Sequence, residues 1–459
     1  MLYADIKQGF EQATGWAPTP LQVKDAEHIA RNPRTANYSE VGTGKTVVST
    51  LASILREGTQ VTLVTVPPIL IPQWTTWLKL VGGGPVCRFQ GTPKYRDSLD
   101  AEAARWIVMS HAIYRDSFPR WSRLGLKKDL ELIVDEAHCL KSPASVLFKT
   151  VVKQPKVALQ LLTGTPTSKP GDCYSYVKLK TPGVYRSMGH FEALHVEERD
   201  FFGQVTKWRD LTAMGDNLMV LSVRRTKEEV FGYDLKPIFD VMEYDLDPKH
   251  LKLYQKLVEE QLLLLPNGDK IDATTATRLY HAMQQAVCNW DHFSGTPDRS
   301  AIYNLVDQVV ESTDCLNPEK SKLIIFTHYK MTSRKLLAYL GPVAVGAYSE
   351  VDSNKSIERF LTDPNARILV GQPSSCGVGL NPAHLCSEVL FVEASTVPLQ
   401  MEQAVGRVDR KGQTRRPTIR FAQAAGTIQR RLYDQLLQKA SLVGTVEKRK
   451  SLRDSLLGA

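Results

Sequence analysis

Apolar, β-branched runs recur along the first half of the chain at Val61–Val66, Trp106–Ser110, Leu130–Val134 and Val157–Leu162, with helical or loop-like text between them. That alternation predicts parallel strands joined by helices, an α/β lobe whose sheet is buried on both faces. A second series at Leu323–Phe326, Arg367–Val370, Val389–Val392 and Thr418–Ala422 predicts a second lobe of the same class. Between them, Leu246, His250, Leu253, Leu257 and Leu262 repeat at near-helical spacing and no strand-like run stands out, so a helical connector is expected. Turn residues break it at 266–269 and 294–297. After the second lobe, Thr427 is placed to cap a helix with Ile428, Leu432, Leu436 and Leu437 on one face, which predicts a docking helix. The expected division is therefore 1–235, 236–300, 301–425 and 426–459.

Composition changes this picture little. A chain of 459 residues has room for two or three cores, and no apolar run approaches the roughly 18 to 20 residues that cross a bilayer. The first residues lack a basic segment followed by an apolar one, so no secretory signal is expected. Seven scattered cysteines without a Cys-x-x-Cys pair point to a reducing, cytoplasmic compartment and away from structural zinc. Charge adds more. The net charge is +9, and residues 401–459 hold 13 Lys and Arg against 5 Asp and Glu, a balance of +8. A basic end of this kind suits a polyanion.

The chemistry-bearing residues fall in three places. Val41-Gly42-Thr43-Gly44-Lys45-Thr46 supplies what a triphosphate requires: glycines that let backbone N–H groups approach, a lysine for the β/γ oxygens and a hydroxyl for Mg2+. Ser39 stands where the full pattern has its first glycine. Some 90 residues on, Leu132-Ile-Val-Asp135-Glu136-Ala-His138 reads as a strand ending in two carboxylates. Asp135 would hold the Mg2+ and Glu136 would orient and deprotonate the attacking water. Far downstream, Gln403, Arg407 and Arg410 place two guanidinium groups on a helix, the strongest planar partners for a phosphate oxyanion.

With these motifs in this order, the chain resembles the superfamily-two helicases, and within them the Swi/Snf-type DNA translocases. Pro18-Thr-Pro-Leu-Gln22 resembles the adenine-reading segment, with the Gln22 amide facing the base and Trp16 available to stack. Val64 through Trp74, including Pro67 and Pro68, resembles the segment that touches the nucleic-acid backbone. Leu162-Thr163-Gly164-Thr165-Pro166 resembles the motif coupling ATP state to lobe closure, and Val223-Arg-Arg-Thr-Lys227 the element that precedes the second lobe. Ser374-Ser375-Cys-Gly377-Val-Gly379 resembles the Gly-rich motif that contacts both strand and nucleotide. Leu323–Thr327 and the Gly412-Gln413 pair complete the match.

The resemblance implies two RecA-like lobes with ATP and Mg2+ in the cleft between them, Mg2+ on Thr46 and Asp135, and Arg407 and Arg410 as arginine fingers. It implies nucleic-acid contacts at Pro67, Pro68, Thr163, Gly164, Thr165, Ser375 and Gly377, and nucleotide contact at Gly379. The implied activity is ATP-driven movement along duplex or branched DNA, as in fork remodelling, branch migration or protein displacement, with replication or recombination proteins as partners. Two other readings stay open: a strand-separating DNA or RNA helicase, and a DNA-binding scaffold without turnover. Glu40-Val41 in the phosphate loop and Asp409 depart from the eukaryotic pattern and suit a compact microbial or phage-like relative, in a bacterial or infected cell, or in the nucleus if eukaryotic.

Overall fold

Strands β1 (Arg34–Asn37), β2 (Val61–Val66), β3 (Val86–Arg88), β4 (Trp106–Ser110), β5 (Leu130–Asp135) and β6 (Ala158–Leu162) form most of the first sheet. A separate antiparallel hairpin of β7 (Val196–Arg199) and β8 (Val205–Trp208) follows, and β9 (Ser222–Val223) completes the sheet. The seven strands run parallel in the order β3-β4-β2-β5-β6-β1-β9. The computed structural model describes residues 3–15, 17–232, 235, 237–260, 262–264, 270–272, 276–295, 300–376, 382, 384–393, 398–409 and 413–447. These fall into two units, one spanning residues 3–232 with 442–447 and the other residues 235–441.

Burial explains why the strand runs are apolar without alternation. All six positions of β2 and of β5 are buried, because helices cover both faces of the sheet. Successive residues serve opposite faces: Leu132 and Val134 enter one cluster with Leu63 and Trp121, while Ile133 enters another with Val64, Val66 and Trp74. The register levels the carboxyl ends of the strands. Asn37 lies beside Leu162, Leu162 beside Asp135, and Thr65 beside Val134. The segments leaving β1, β2, β5 and β6 therefore emerge along one edge, where ligands bind in open parallel sheets.

The second unit holds β10 (Ile238–Tyr244), a short hairpin of β11 (Leu262–Leu264) and β12 (Lys270–Asp272), then β13 (Lys322–Phe326), β14 (Ala344–Ala347), β15 (Ile368–Gly371), β16 (Cys386–Phe391) and β17 (Thr418–Ala424). Its main sheet is parallel, in the order β10-β17-β16-β13-β15-β14. Again alternate residues divide between faces, Leu323 and Ile325 on one side and Ile324 and Phe326 on the other.

The segment expected to be a helical connector is built differently. β10 pairs residue for residue with β17 from Ile238 to Tyr244, so the region opens with an edge strand. Its exposed Asp240 and Glu243 interrupt any apolar run, which is why the pattern does not announce it. The helix Pro248–Glu260 stops before Leu262, which belongs to the β11–β12 hairpin. Leu257, Ala286 and Val287 share a core with Leu323 and Leu390, so this segment is part of the second unit. The turn expected at 266–269 lies outside the described residues. The C-terminal helix, Ile428–Glu447, docks as expected: Thr427 accepts from the Gln429 N–H at 3.3 Å, and Leu436 and Ala440 pack with Ile419 and Phe421.

Candidate nucleotide-binding site

The phosphate loop leaves β1 and ends where Lys45 opens the helix Lys45–Leu55. Gly42 and Gly44 have φ of +90° and +88°, a backbone that a side chain would strain, and a Cβ on Gly44 would lie 2.5 Å from the Gln22 amide nitrogen. Both glycines are thus required by the turn itself. The Lys45 ammonium donates to the carbonyls of Ser39 at 2.8 Å and Glu40 at 3.0 Å, closing the loop around its own cation. Burial holds this ammonium below its usual range, against the pull of Glu136, Asp135 and Glu40. Thr46 follows in the first turn of the helix, where unpaired N–H groups favour an anion.

Gln22, the expected adenine reader, lies against the phosphate loop. Its Oε1 accepts from the Thr19 N–H at 2.9 Å in a capping box that starts the helix Pro20–Arg31, and its Nε2 donates to the Thr43 carbonyl at 3.0 Å. Here the side chain braces the phosphate loop from behind. Trp16 lies outside the described residues.

The acid pair sits at the end of β5. Asp135 Oδ2 accepts from the Trp74 indole N–H at 2.8 Å, and Oδ1 accepts from the Glu136 backbone N–H at 2.9 Å. Burial, then the neighbouring Glu136 charge, push the Asp135 carboxyl up to about 6. Glu136 itself has φ of +49°, a left-handed conformation that costs on the order of 1–3 kcal/mol in a non-glycine residue and gathers at functional sites. Its Oε2 lies 3.2 Å from His138 Nδ1. Behind the pair, His111 meets the Thr65 hydroxyl at 2.8 Å, and burial pushes it down to about 4, so it packs there neutral.

A buried carboxylate beside a half-buried one, with a threonine hydroxyl in the helix turn, forms a hard-oxygen donor set that suits Mg2+. Among the described residues no group of three or more His, Cys, Asp or Glu could hold a metal alone. A Mg2+ on Thr46 and Asp135 would complete its shell with nucleotide and water oxygens.

The Arg224–Lys227 element, expected to mark the approach to the second lobe, clamps the phosphate loop. The Arg225 N–H donates to Ser39 Oγ at 3.0 Å, the Arg225 carbonyl accepts from the Glu40 N–H at 2.9 Å, and the Lys227 N–H donates to Glu40 Oε2 at 3.0 Å. The Arg225 guanidinium forks onto Asp25 at 2.7 to 3.2 Å, joining the clamp to the helix that carries Gln22. The motif flags Arg225, but its partner Asp25 is a support that the sequence pattern does not signal.

Thr163 and Thr165 are buried beside this leg of the loop. The Thr163 N–H donates to the Asn37 carbonyl at 3.1 Å, and a Cβ on Gly164 would press on Ser39 and Val41 at 3.3 Å. These three residues adjoin the nucleotide loop, with Thr163 and Thr165 buried and Gly164 half-buried. Pro68 is exposed and Pro67 half-buried just after β2, where a backbone could reach them.

In the second unit, Gln403 and Arg407 lie four apart on the helix Pro398–Val408 and so share a face. Gln413 fixes the end of that helix: its Nε2 donates to the carbonyls of Val408 and Cys386, both at 2.9 Å. Ser375 is half-buried in the short helix Pro373–Cys376. Arg410, Gly377 and Gly379 lie outside the described residues.

A phosphate loop opening a helix and an Asp-Glu pair two strands away define a nucleoside triphosphatase of the superfamily-two type. The SNF2-related domain family matches residues 38–292, more than half of the chain, and the protein belongs to that family. It is 22% identical to the uncharacterized ATP-dependent helicase YqhH of Bacillus subtilis, over 93% of this chain and 79% of that one. It is also 22% identical to the DNA annealing helicase and endonuclease ZRANB3 of Mus musculus, over 91% of this chain and 39% of that one. The chain thus spans about two-fifths of the length of ZRANB3. The solved Sulfolobus solfataricus SWI2/SNF2 ATPase core in complex with dsDNA aligns over 92% of this chain and 91% of that one, at 20% identity and a TM-score of 0.41.

Proposed function

We propose that this protein is an ATP-driven motor that moves along duplex or branched DNA. The observation that carries the reading is the carboxyl edge of the first sheet, where the phosphate loop, the acid pair and Thr163–Thr165 emerge side by side in a chain of the SNF2-related family. On this reading Lys45 releases the Ser39 and Glu40 carbonyls and turns to the β/γ oxygens, while the loop N–H groups line the phosphates. Glu136 takes the proton of the attacking water. Mg2+ held by Thr46 and Asp135 supplies neutralisation of the phosphate charge. The role proposed for Arg407 and Arg410 is to meet the negative charge that develops as the phosphoryl group transfers, with Gln403 orienting the water or phosphate on the same helix face.

The track is proposed to be the DNA backbone, reached through Pro67, Pro68 and Thr163–Thr165 in the first unit and through Ser375 and Gly377 in the second. The exposed Arg430 and Arg431 on the C-terminal helix add sequence-independent attraction. DNA and ATP are then proposed to meet in a reducing compartment, the cytoplasm of a bacterial or phage-infected cell, or the nucleus if the source is eukaryotic.

Displacement of a third strand from a triplex-bearing duplex tests movement without strand separation. The reading expects ATP-dependent loss of the third strand with the duplex intact. Separation of a forked duplex with no triplex displacement would instead favour a strand-separating helicase, and neither outcome with any substrate would favour a scaffold.

A further inference from the structure

Trp74 occupies an unusual position between two parts of the site. It is buried at 1% exposure, one turn into the helix Ile71–Val81, and its indole N–H donates at 2.8 Å to Asp135. That turn grows directly out of the 3-10 turn Pro68–Leu70. Its outer surface is the exposed Pro68, Ile69, Pro72 and Gln73, and its inner surface is Ile71 and Trp74, packed against Val64, Val66 and Ile133. Proline at the start of both the 3-10 turn and the helix stiffens this piece of backbone. A push on the outer surface is therefore delivered as a small movement of the whole turn.

Asp135 has little freedom to absorb such a movement. One oxygen is held by the Glu136 N–H, and the other is held by the indole of Trp74. The lone-pair directions left free on the carboxylate are set by both bonds together, and only the Trp74 bond comes from a residue distant in sequence. We propose that Trp74 is a positioning residue that couples nucleic acid at the Pro67–Leu70 turn to Mg2+-nucleotide at Asp135, through its single indole hydrogen bond. The inference rests on the motor reading above, in which DNA touches this turn.

Coupling of this kind is a reciprocal thermodynamic quantity, so it can be read from binding without turnover. A fluorescent, non-hydrolysable ATP analogue is titrated into the full-length protein with Mg2+, with and without a saturating blunt duplex. In the wild type the duplex changes analogue affinity by a measurable factor. In Trp74→Phe, which keeps an aromatic side chain in the core but has no donor, that factor falls towards one. Coupled sites typically show a factor of roughly 5–150, and the variant is expected to lose most of it. The same factor in Trp74→Phe as in the wild type would overturn the proposal.

Two controls separate failures. If the wild type does not bind duplex, the motor reading fails first, whatever Trp74 does. If Trp74→Phe does not fold, hydrogen exchange on the wild type decides. Duplex should change protection in residues 64–81 and 130–138 together, and a change in 64–81 without one in 130–138 would overturn the coupling.

Discussion

Cutting Arg225 back to alanine should loosen the phosphate loop without removing any group that touches nucleotide. The Asp25 side chain is 4% exposed and the Arg225 side chain 28% exposed, with forked bonds of 2.7 to 3.2 Å between them. Stranding one member of a fully buried pair costs about 3–5 kcal/mol, whereas exposed pairs contribute about 0–1 kcal/mol. A pair buried at one end and partly wet at the other falls between, at about 2 kcal/mol. For a domain of this size that corresponds to a fall of about 4–8 °C in the first unit's melting temperature. Asp25→Ala should cost less, because the arginine it frees can reach water. The double variant should cost less than the two singles summed, leaving about 1–2 kcal/mol of coupling. Calorimetry of the full chain reads the stability, and titration with a fluorescent ATP analogue reads the loop, whose affinity should fall several-fold. Shifts below about 1 °C in both single variants, or strict additivity in the double, would refute the clamp.

Lys45→Ala and Glu136→Gln should both abolish ATP turnover and differ in binding, the first weakening ATP affinity and the second retaining ATP unhydrolysed; near-wild-type turnover in both would contradict the site. Arg407→Ala should lower turnover by about 10³-fold or more with ATP affinity little changed, as for other arginine fingers, and a loss under about tenfold in single-turnover phosphate release would count against it. The Asp135 carboxyl, raised by burial from 3.8 to about 6, makes the folded protein bind more protons than the unfolded chain between those values. Its contribution to the stability of nucleotide-free protein is therefore present below 3.8 and lost as pH rises through about 6, and Asp135→Asn should flatten melting temperature against pH in that window. An unchanged slope in the variant would contradict the shift.

Much of the scaffold is legible in the sequence because strands buried on both faces must be apolar throughout, as β2, β4 and β5 are. β1 and β10 are not, for opposite reasons. β1, Arg34-Thr-Ala-Asn37, lies inside the sheet next to its edge strand but carries polar side chains, since the loop that follows needs Asn37 Oδ1 to accept from the Ser39 N–H. β10 lies at an edge and carries charge on its wet face. In the site, Lys45, Asp135 and Glu136 are legible because the chemistry fixes residue types at local spacing. The supports are not. Trp74 reaches Asp135 across 61 residues of sequence and Arg225 reaches Asp25 across 200, distances over which only the folded sheet brings side chains together. Gln22 is legible by its motif, but its bonds to the Thr19 N–H and the Thr43 carbonyl, which tie the helix start to the phosphate loop, are not.

The central claim is that ATP hydrolysis at Lys45, Asp135 and Glu136 is tied to a DNA track. Phosphate release by the full-length protein, measured with no nucleic acid and then with duplex, forked, four-way and single-stranded DNA and with RNA, tests it most directly. The account predicts a low rate alone, the strongest stimulation by duplex or branched DNA, and no stimulated rate in Glu136→Gln. A rate indifferent to every nucleic acid, or raised by RNA alone, would contradict it.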